Sequence, residues 1–542
     1  MLNRTTLGVA GAATLAALVA CGSNTASNDT SSLPAAGGAP ASASGGKATM
    51  SGAGAPGAAG NVAKGGAGGT TTTMGGAGAS TTLGGASGSS AMTSGAGGRG
   101  FGGGSGGMSF GGTTSAAAGM GGLTGGAGAT QTGTSMFTIK VQLASDVKAT
   151  APTTVGIVTW SVAATGISTA HIDFGLDTTY GMTAPVDLTQ MDYRTLLLGM
   201  KPAKTYHFRI TASDGTKTYT SDDQTVTTGA KTTANPLTSF TVKNAASLPK
   251  GFFITSFWQG TNSKLPFIFD TDGDVVWWYT ENQGESTDGI SRARMSADSQ
   301  SIWLVNEALT GNPLRRVTMD GLTTQTYSNT KASHDIAAVS ADTMAYLDYS
   351  ESDCNSIFEI NNAGTYKEVF EPTGVTGPGM SFPSCHGNSV RYSKTNDFYV
   401  YSDWQEDVAV VNRSGALQWL LSKKVSGGHS AWGGEQHGTQ LLDSSILIFA
   451  NMGTAGKSQA VEYDLNGQLV HAFSANGGSN VTNFGDVQRL SNGNTIITYS
   501  TSSLMQEVDS SDTVVLEVKG SGSFGYVEFR DSLYGPPLDI GK

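Results

Sequence analysis

The sequence predicts an all-β protein: a six-bladed β-propeller preceded by a small β-sandwich and, before that, a disordered Gly-rich linker. Three observations carry the prediction. A strand–turn–strand unit with a turn glycine recurs through the C-terminal half. Short alternating apolar runs, separated by turn residues, fill the stretch before it. No long helical periodicity interrupts either region.

In chain order, residues 1–20 read as an export signal. Arg4 supplies a positive start, and Leu7 to Ala20 is a short apolar run, too short for a stable transmembrane anchor. The run ends in Leu18-Val19-Ala20-Cys21, which resembles the bacterial lipobox, whose cysteine becomes the lipidated N-terminus. Gly22, rather than Asp, follows it, and under the enterobacterial sorting pattern this implies the outer membrane. The expectation is an exported lipoprotein, held to the membrane by a lipid on Cys21. No later run approaches the length of a membrane span.

Residues 21–133 are rich in Gly, Ala, Ser and Thr with almost no large apolar side chains, and about half of the chain's 76 glycines lie here. Such a stretch buries too little apolar surface to offset chain entropy, so it is expected to be disordered. As a Gly-rich coil it would reach about 60 Å.

Residues 134–232 hold the runs FTIKVQL, VGIVTWSV, AHIDFGL, TYHFRITAS and DQTVTTG, the pattern of a β-sandwich. Trp160 is the large aromatic that a sandwich core wants. Leu198-Gly199-Met200-Lys201-Pro202 leads into Thr205-Tyr206, which resembles the tyrosine corner of fibronectin type III domains, with Tyr206 hydrogen-bonding back across the turn. His171 and His207 lie on these runs and are read as strand-face histidines without chemistry.

Residues 233–542 are the repeat region. FDTDGDVVWWY, VTMDGLTTQTY, INNAGTYKEVF, VNRSGALQWLL and YDLNGQLVHAF each read as a hairpin. Their turn glycines Gly273, Gly321, Gly364, Gly415 and Gly467 are spaced by 48, 43, 51 and 52 residues, which is the period of a propeller blade. A looser sixth copy, VLEVKGSGSFGYVEF (515–529), completes the count.

A second feature has the same period. His334, His386 and His437 are spaced by 52 and 51 residues, each just before a blade's first apolar run, and Gly485 holds the next position. Equal phase in a closed ring brings the three imidazoles together near the central channel. Three readings stay open on the residues alone: a metal site such as zinc, nucleophile and acid–base chemistry, or purely structural hydrogen bonding.

The propeller region is similar to the bacterial arylsulfate sulfotransferases. The matching elements are His334-Asp335, His386-x-Asn388-Ser389-Val390, Gln436-His437, LLDSSILIFANMG with the strand SQAVEYDL, and RLSNGNTIITY. The resemblance implies transfer of a sulfuryl group from an aryl sulfate donor to a phenolic acceptor, without the nucleotide donor of cytosolic sulfotransferases and without a cofactor. It implies that His437 attacks sulfur and carries the group as a sulfohistidine. His334 and His386 would bind the sulfuryl oxygens and protonate the leaving phenolate, and Asn388 would contribute to binding. The family also places an Arg after a Ser in the following strand, where this chain has Ser402-Asp403-Trp404. Lys423, Lys424, Arg294 and Arg391 are the cations left to replace it. The other expectation is therefore a catalytically inactive, tethered binding propeller.

A net charge of −11, with only 13% charged residues, lacks the basic stripe of a nucleic-acid binder. Cys354 and Cys385, 31 positions apart in neighbouring repeats, are a candidate disulfide in an oxidising compartment; the other reading is two buried free thiols.

Overall fold

The computed structural model describes residues 136–537, except 261–262, 281–288, 308–310, 352–353, 373–385, 405–406, 433–434, 454–456 and 474–479. The signal segment, the Gly-rich linker, Cys21, Cys385 and the side chain of Cys354 lie outside the described residues, and with them the expected lipidation site and disulfide. Among the described residues no helix is long and apolar enough to cross a membrane.

The first described part is a sandwich of two antiparallel sheets. One sheet pairs Phe137–Leu143, Gly156–Val162 and Thr195–Leu197 in that order. The other runs Met182–Pro185, Thr169–Gly175, Thr205–Ser213, whose far edge takes both Thr218–Thr220 and Gln224–Thr227. Alternation in Thr205–Ser213 sends Tyr206, Phe208 and Ile210 inward, where they meet Trp160 and Phe174. The Lys201 backbone N–H donates to the Tyr206 hydroxyl at 2.9 Å, tying the corner to the strand it precedes. His171 and His207 sit on the outer surface near Asp173 and Asp223, respectively.

The rest of the described chain is a β-propeller built from six antiparallel sheets of at least four strands. The five Gly hairpins turn between the third and fourth strands of their sheets, and each glycine has a left-handed φ of 69° to 88°. The expected sixth hairpin at 515–529 is not a hairpin. The sixth sheet turns at Asp509–Thr513, where Asp512 takes φ 62° and the Asp509 carboxylate accepts the Ser511 and Thr513 N–H groups. An aspartate-braced turn replaces the glycine, so glycine spacing does not reveal it.

Residues 515–529 instead close the ring. Val514–Gly520 is the sixth sheet's fourth strand, and Leu237–Val242, from the entry to the propeller, pairs beside it. Gly522–Phe524 and Glu528–Arg530 cross over to pair with Phe252–Gly260 of the first sheet, supplying its innermost strand from the far end of the chain. Phe253, Phe269, Phe529, Leu516 and Val518 share one buried cluster across that seam. Joining both ends of the chain this way leaves no open edge between first and last blades.

On the axis, the innermost strands meet through charge. Arg292 of the second blade lies 3.1 Å from Asp335 Oδ1 of the third through Nε, and 2.9 Å from Asp486 Oδ2 of the sixth through Nη1. Arg391 of the fourth reaches the other oxygens of the same two carboxylates, at 2.9 Å and 2.5 Å. The remaining blades join through backbone: Arg391 Nε donates to the Thr439 carbonyl at 3.2 Å, and the Val527 N–H donates to Asp486 at 3.0 Å. All four charged side chains are buried. Burying an ion costs several kcal/mol, offset only when every charge is paired with good geometry. Two cations and two anions alternate around the axis, joined by hydrogen bonds from Arg292 Nη1 and both Arg391 Nη groups and by the proximity alone of Arg292 Nε to Asp335.

The sandwich packs on the first two blades. Leu196, Leu198 and Val155 enter the same buried cluster as Ile254, Trp277 and Ile302. Thr154 Oγ1 donates to the Val276 carbonyl at 2.6 Å, and Lys201 meets Asp270, Asp272 and Asp274 within 3.2 Å.

Replacing Arg391 with Met would leave Asp335 and Asp486 sharing one guanidinium. The expected loss is about 3–5 kcal/mol in urea unfolding. A loss below about 1 kcal/mol, the range of an exposed pair, would contradict the central role given to this ring.

Candidate active site

One layer along the channel from the charged ring stand the three histidines. His334 lies in Ala332–Ala338, His437 in Gln436–Leu441, and His386 immediately before Gly387–Ser393, at the heads of the inner strands of the third, fifth and fourth blades. The pairing register slips at this height in each of these strands, between Ser333 and Ile336, Gly387 and Ser389, and Gln436 and Thr439. The second blade slips in the same place, between Ile290 and Arg292. A bulge re-aims the side chain it carries. His334 shows the cost directly, holding φ 58°, a left-handed conformation that a non-Gly residue adopts only when its surroundings enforce it.

The rings converge. The His334 and His386 centroids are 4.9 Å apart in an edge-to-face arrangement, with Nε2 to Nε2 at 3.4 Å. His334 and His437 are 6.2 Å apart. Phe484 packs against both, at 5.3 Å and 5.7 Å, and is backed by Trp258 and Tyr526. Tyr349 and Trp404 flank the partly exposed His386 at 6.5 Å and 5.8 Å. His334 and His437 are buried.

The tautomer of His437 follows from its neighbour. Asn451 Nδ2 donates to the Val481 and Phe484 carbonyls, at 2.8 Å and 2.7 Å, which fixes the amide orientation and leaves Oδ1 as an acceptor. That oxygen lies 2.8 Å from His437 Nδ1, so Nδ1 carries the proton and Nε2 keeps its lone pair. His437 Nε2 is buried and has no hydrogen-bond partner among the described residues. Burial lowers the pKa of His437 to about 4, that of His386 below its ordinary value, and that of His334 well below it. These shifts favour neutral imidazoles at neutral pH.

The residues around the histidines explain the motifs. Gln436 donates to the Asp403 and Asp407 carbonyls and accepts from the Trp432 indole, anchoring the Gln-His strand to the preceding blade. A Cβ on Gly438 would stand 2.2 Å from Asp486 Oδ1 and 2.6 Å from its Cα, so the residue after His437 must be Gly for the strand to pass the charged ring. Asn388 donates through Nδ2 to the Gln436 carbonyl at 2.8 Å, and its Oδ1 is buried without a hydrogen-bond partner among the described residues. Arg391 does point inward but is held by Asp335 and Asp486, and Lys423 and Lys424 are exposed. Where the family Arg was expected, the indole of Trp404 stands beside His386, and the Trp404 backbone N–H donates to the His386 carbonyl at 2.8 Å. Asn451 and Phe484 are site residues that the sequence does not single out. Asn451 is in view within FANMG, but its role depends on a loop contact that no local pattern encodes.

Gly438→Ala should lower the unfolding temperature and broaden the histidine side-chain resonances, because the intruding methyl meets backbone as well as carboxylate. A variant with wild-type stability and unchanged spectra would show that the strand has room to move.

No family model and no curated protein matches the chain. Among solved structures, a protein of unknown function from Bacteroides caccae is 17% identical over 52% of this chain and 98% of its own, with a TM-score of 0.37. TolB from Acinetobacter baumannii is 10% identical over 61% of this chain and 81% of its own, at 0.37. Virginiamycin B lyase from Staphylococcus aureus is 13% identical over 56% of this chain and 97% of its own, at 0.36.

Proposed function

We propose that the histidine cluster transfers a sulfuryl group from an aryl sulfate to a phenol through a sulfohistidine on His437. The observation that carries this reading is the buried Nε2 of His437, without a hydrogen-bond partner among the described residues and left unprotonated by the Asn451 contact, on a ring 6.2 Å from that of His334, which in turn meets His386. An imidazole with a free lone pair is a nucleophile without needing a base. In the first half-reaction Nε2 attacks sulfur and the S–O bond to the aryl group breaks. The departing phenolate takes the proton that His334 and His386 share once the sulfate monoanion has drawn it into the site. The sulfonated ring keeps its Nδ1–H on Asn451, which offsets the positive charge developing there. In the second half the acceptor phenol returns its proton to the histidine pair as its oxygen displaces His437 from sulfur. Phe484, Tyr349 and Trp404 give the aryl groups faces to pack on.

Incubation with p-nitrophenyl sulfate and phenol should release p-nitrophenol, and His437→Ala should reduce turnover on the order of a thousand-fold or more. Quenched protein should carry one SO3 on His437. The nucleophile is unprotonated above about pH 4, so kcat/KM should fall on the acid side only below that value. It should also decline as pH rises, because a proton must enter with the substrate. A folded protein that gains no SO3 under donor excess would overturn the assignment.

The second reading is a binding propeller without turnover. It is favoured by the absence of any unspent guanidinium beside the histidines among the described residues, since Arg292 and Arg391 are both engaged by carboxylates. It expects ligand affinity that His437→Ala leaves unchanged. In either case the reading is of an exported lipoprotein whose fibronectin-like module and Gly-rich linker carry the propeller away from the membrane.

A further inference from the structure

On the opposite side of the charged ring from the histidines lies a small pocket of about 40 Å³, lined by Arg294, Gln440, Glu528, Phe529 and the undersides of Arg292 and Arg391. Its charges do not balance as those of the ring do. Arg292 and Arg391 are neutralised by Asp335 and Asp486. Glu528 approaches Arg530 Nη1 only at 3.9 Å, without a hydrogen bond to either carboxylate oxygen among the described residues, and the charge of Arg530 offsets its own. Arg294 is 9% exposed and makes no hydrogen bond or ion pair among the described residues, and its Nε is fully buried. Gln440 Oε1 accepts the Arg489 N–H at 2.6 Å, which fixes its amide and leaves the NH2 group without an acceptor among the described residues.

A buried guanidinium without a partner is costly, so a site that retains one is a site for a counter-ion. We propose that this cavity binds a small organic monoanion, a carboxylate, through Arg294 and Gln440. The fork of Arg294 matches the two oxygens of a carboxylate, with the Gln440 amide as a further donor. One uncompensated positive charge calls for one negative charge. Glu528 across the cavity disfavours a dianion such as sulfate or phosphate. The site is separate from the histidine cluster, because the Arg–Asp ring stands between them.

Calorimetric titration of the full chain with sodium acetate should give saturable one-site binding, and Arg294→Met should weaken it at least about tenfold. Gln440→Glu, which keeps an acceptor for the Arg489 N–H but removes the amide donors, should weaken it as well. His437→Ala should leave it unchanged. Without acetate, Arg294→Met should unfold at the same temperature as the parent or higher, since it removes an unpaired buried charge; a purely structural Arg294 would give the reverse. The proposal is overturned by the absence of saturable binding, by equal affinity in the parent and both cavity variants, by loss of binding in His437→Ala, or by a destabilised Arg294→Met.

Discussion

Two guanidiniums and two carboxylates alternate around the propeller axis, and the channel is organised by keeping them paired. Arg292, Asp335, Arg391 and Asp486 come from four blades, and the other two blades reach the same groups through the Thr439 carbonyl and the Val527 N–H. A buried charge tolerates little displacement from its partner. The ring therefore fixes the heights of the inner strands relative to one another. It also requires the glycine at 438, where the backbone passes Asp486. The histidines stand directly above this platform, and their spacing is inherited from it.

The same arrangement sets the electrostatics of the site. Because the ring is neutral overall, it neither supplies a cation to the histidines nor draws one in. Burial, reinforced at His334 and His437 by the neighbouring imidazoles, then lowers the pKa of all three. On the proposed function, the site acquires its positive charge with the substrate. That separates it from one built on a permanent guanidinium, and it gives chemical meaning to Asp403 and Trp404 standing where an Arg was expected. The aromatic surround of Phe484, Tyr349 and Trp404 suits the uncharged part of an aryl ester better than a bare anion.

The blade repeat is legible in the sequence because Asp/Asn-x-Gly turns impose a positive φ that glycine takes freely, as at Gly273 and Gly467. The sixth turn is not, because Asp512 adopts that conformation with an aspartate brace and no glycine. The histidines stand out by their common phase, since equivalent positions of a closed ring meet at one height. What phase does not encode is direction. The bulges that turn His334 and His437 into the channel leave no mark in residue type, and neither does the loop that brings Asn451 Oδ1 to His437. Arg391 and Arg294 look alike in sequence. One is committed to the ring, and the other faces a cavity with no partner among the described residues.

The chemistry of the site rests on one proton: Nδ1 of His437 carries it and Nε2 does not. Long-range 1H–15N correlation spectroscopy of the histidine-labelled protein at neutral pH reads that proton directly. The predicted result is a neutral His437 ring with a protonated Nδ1 and a pyridine-like Nε2, and Asn451→Leu should remove the preference. A ring protonated at Nε2, or at both nitrogens, would leave His437 without a nucleophilic lone pair and would contradict the proposed chemistry.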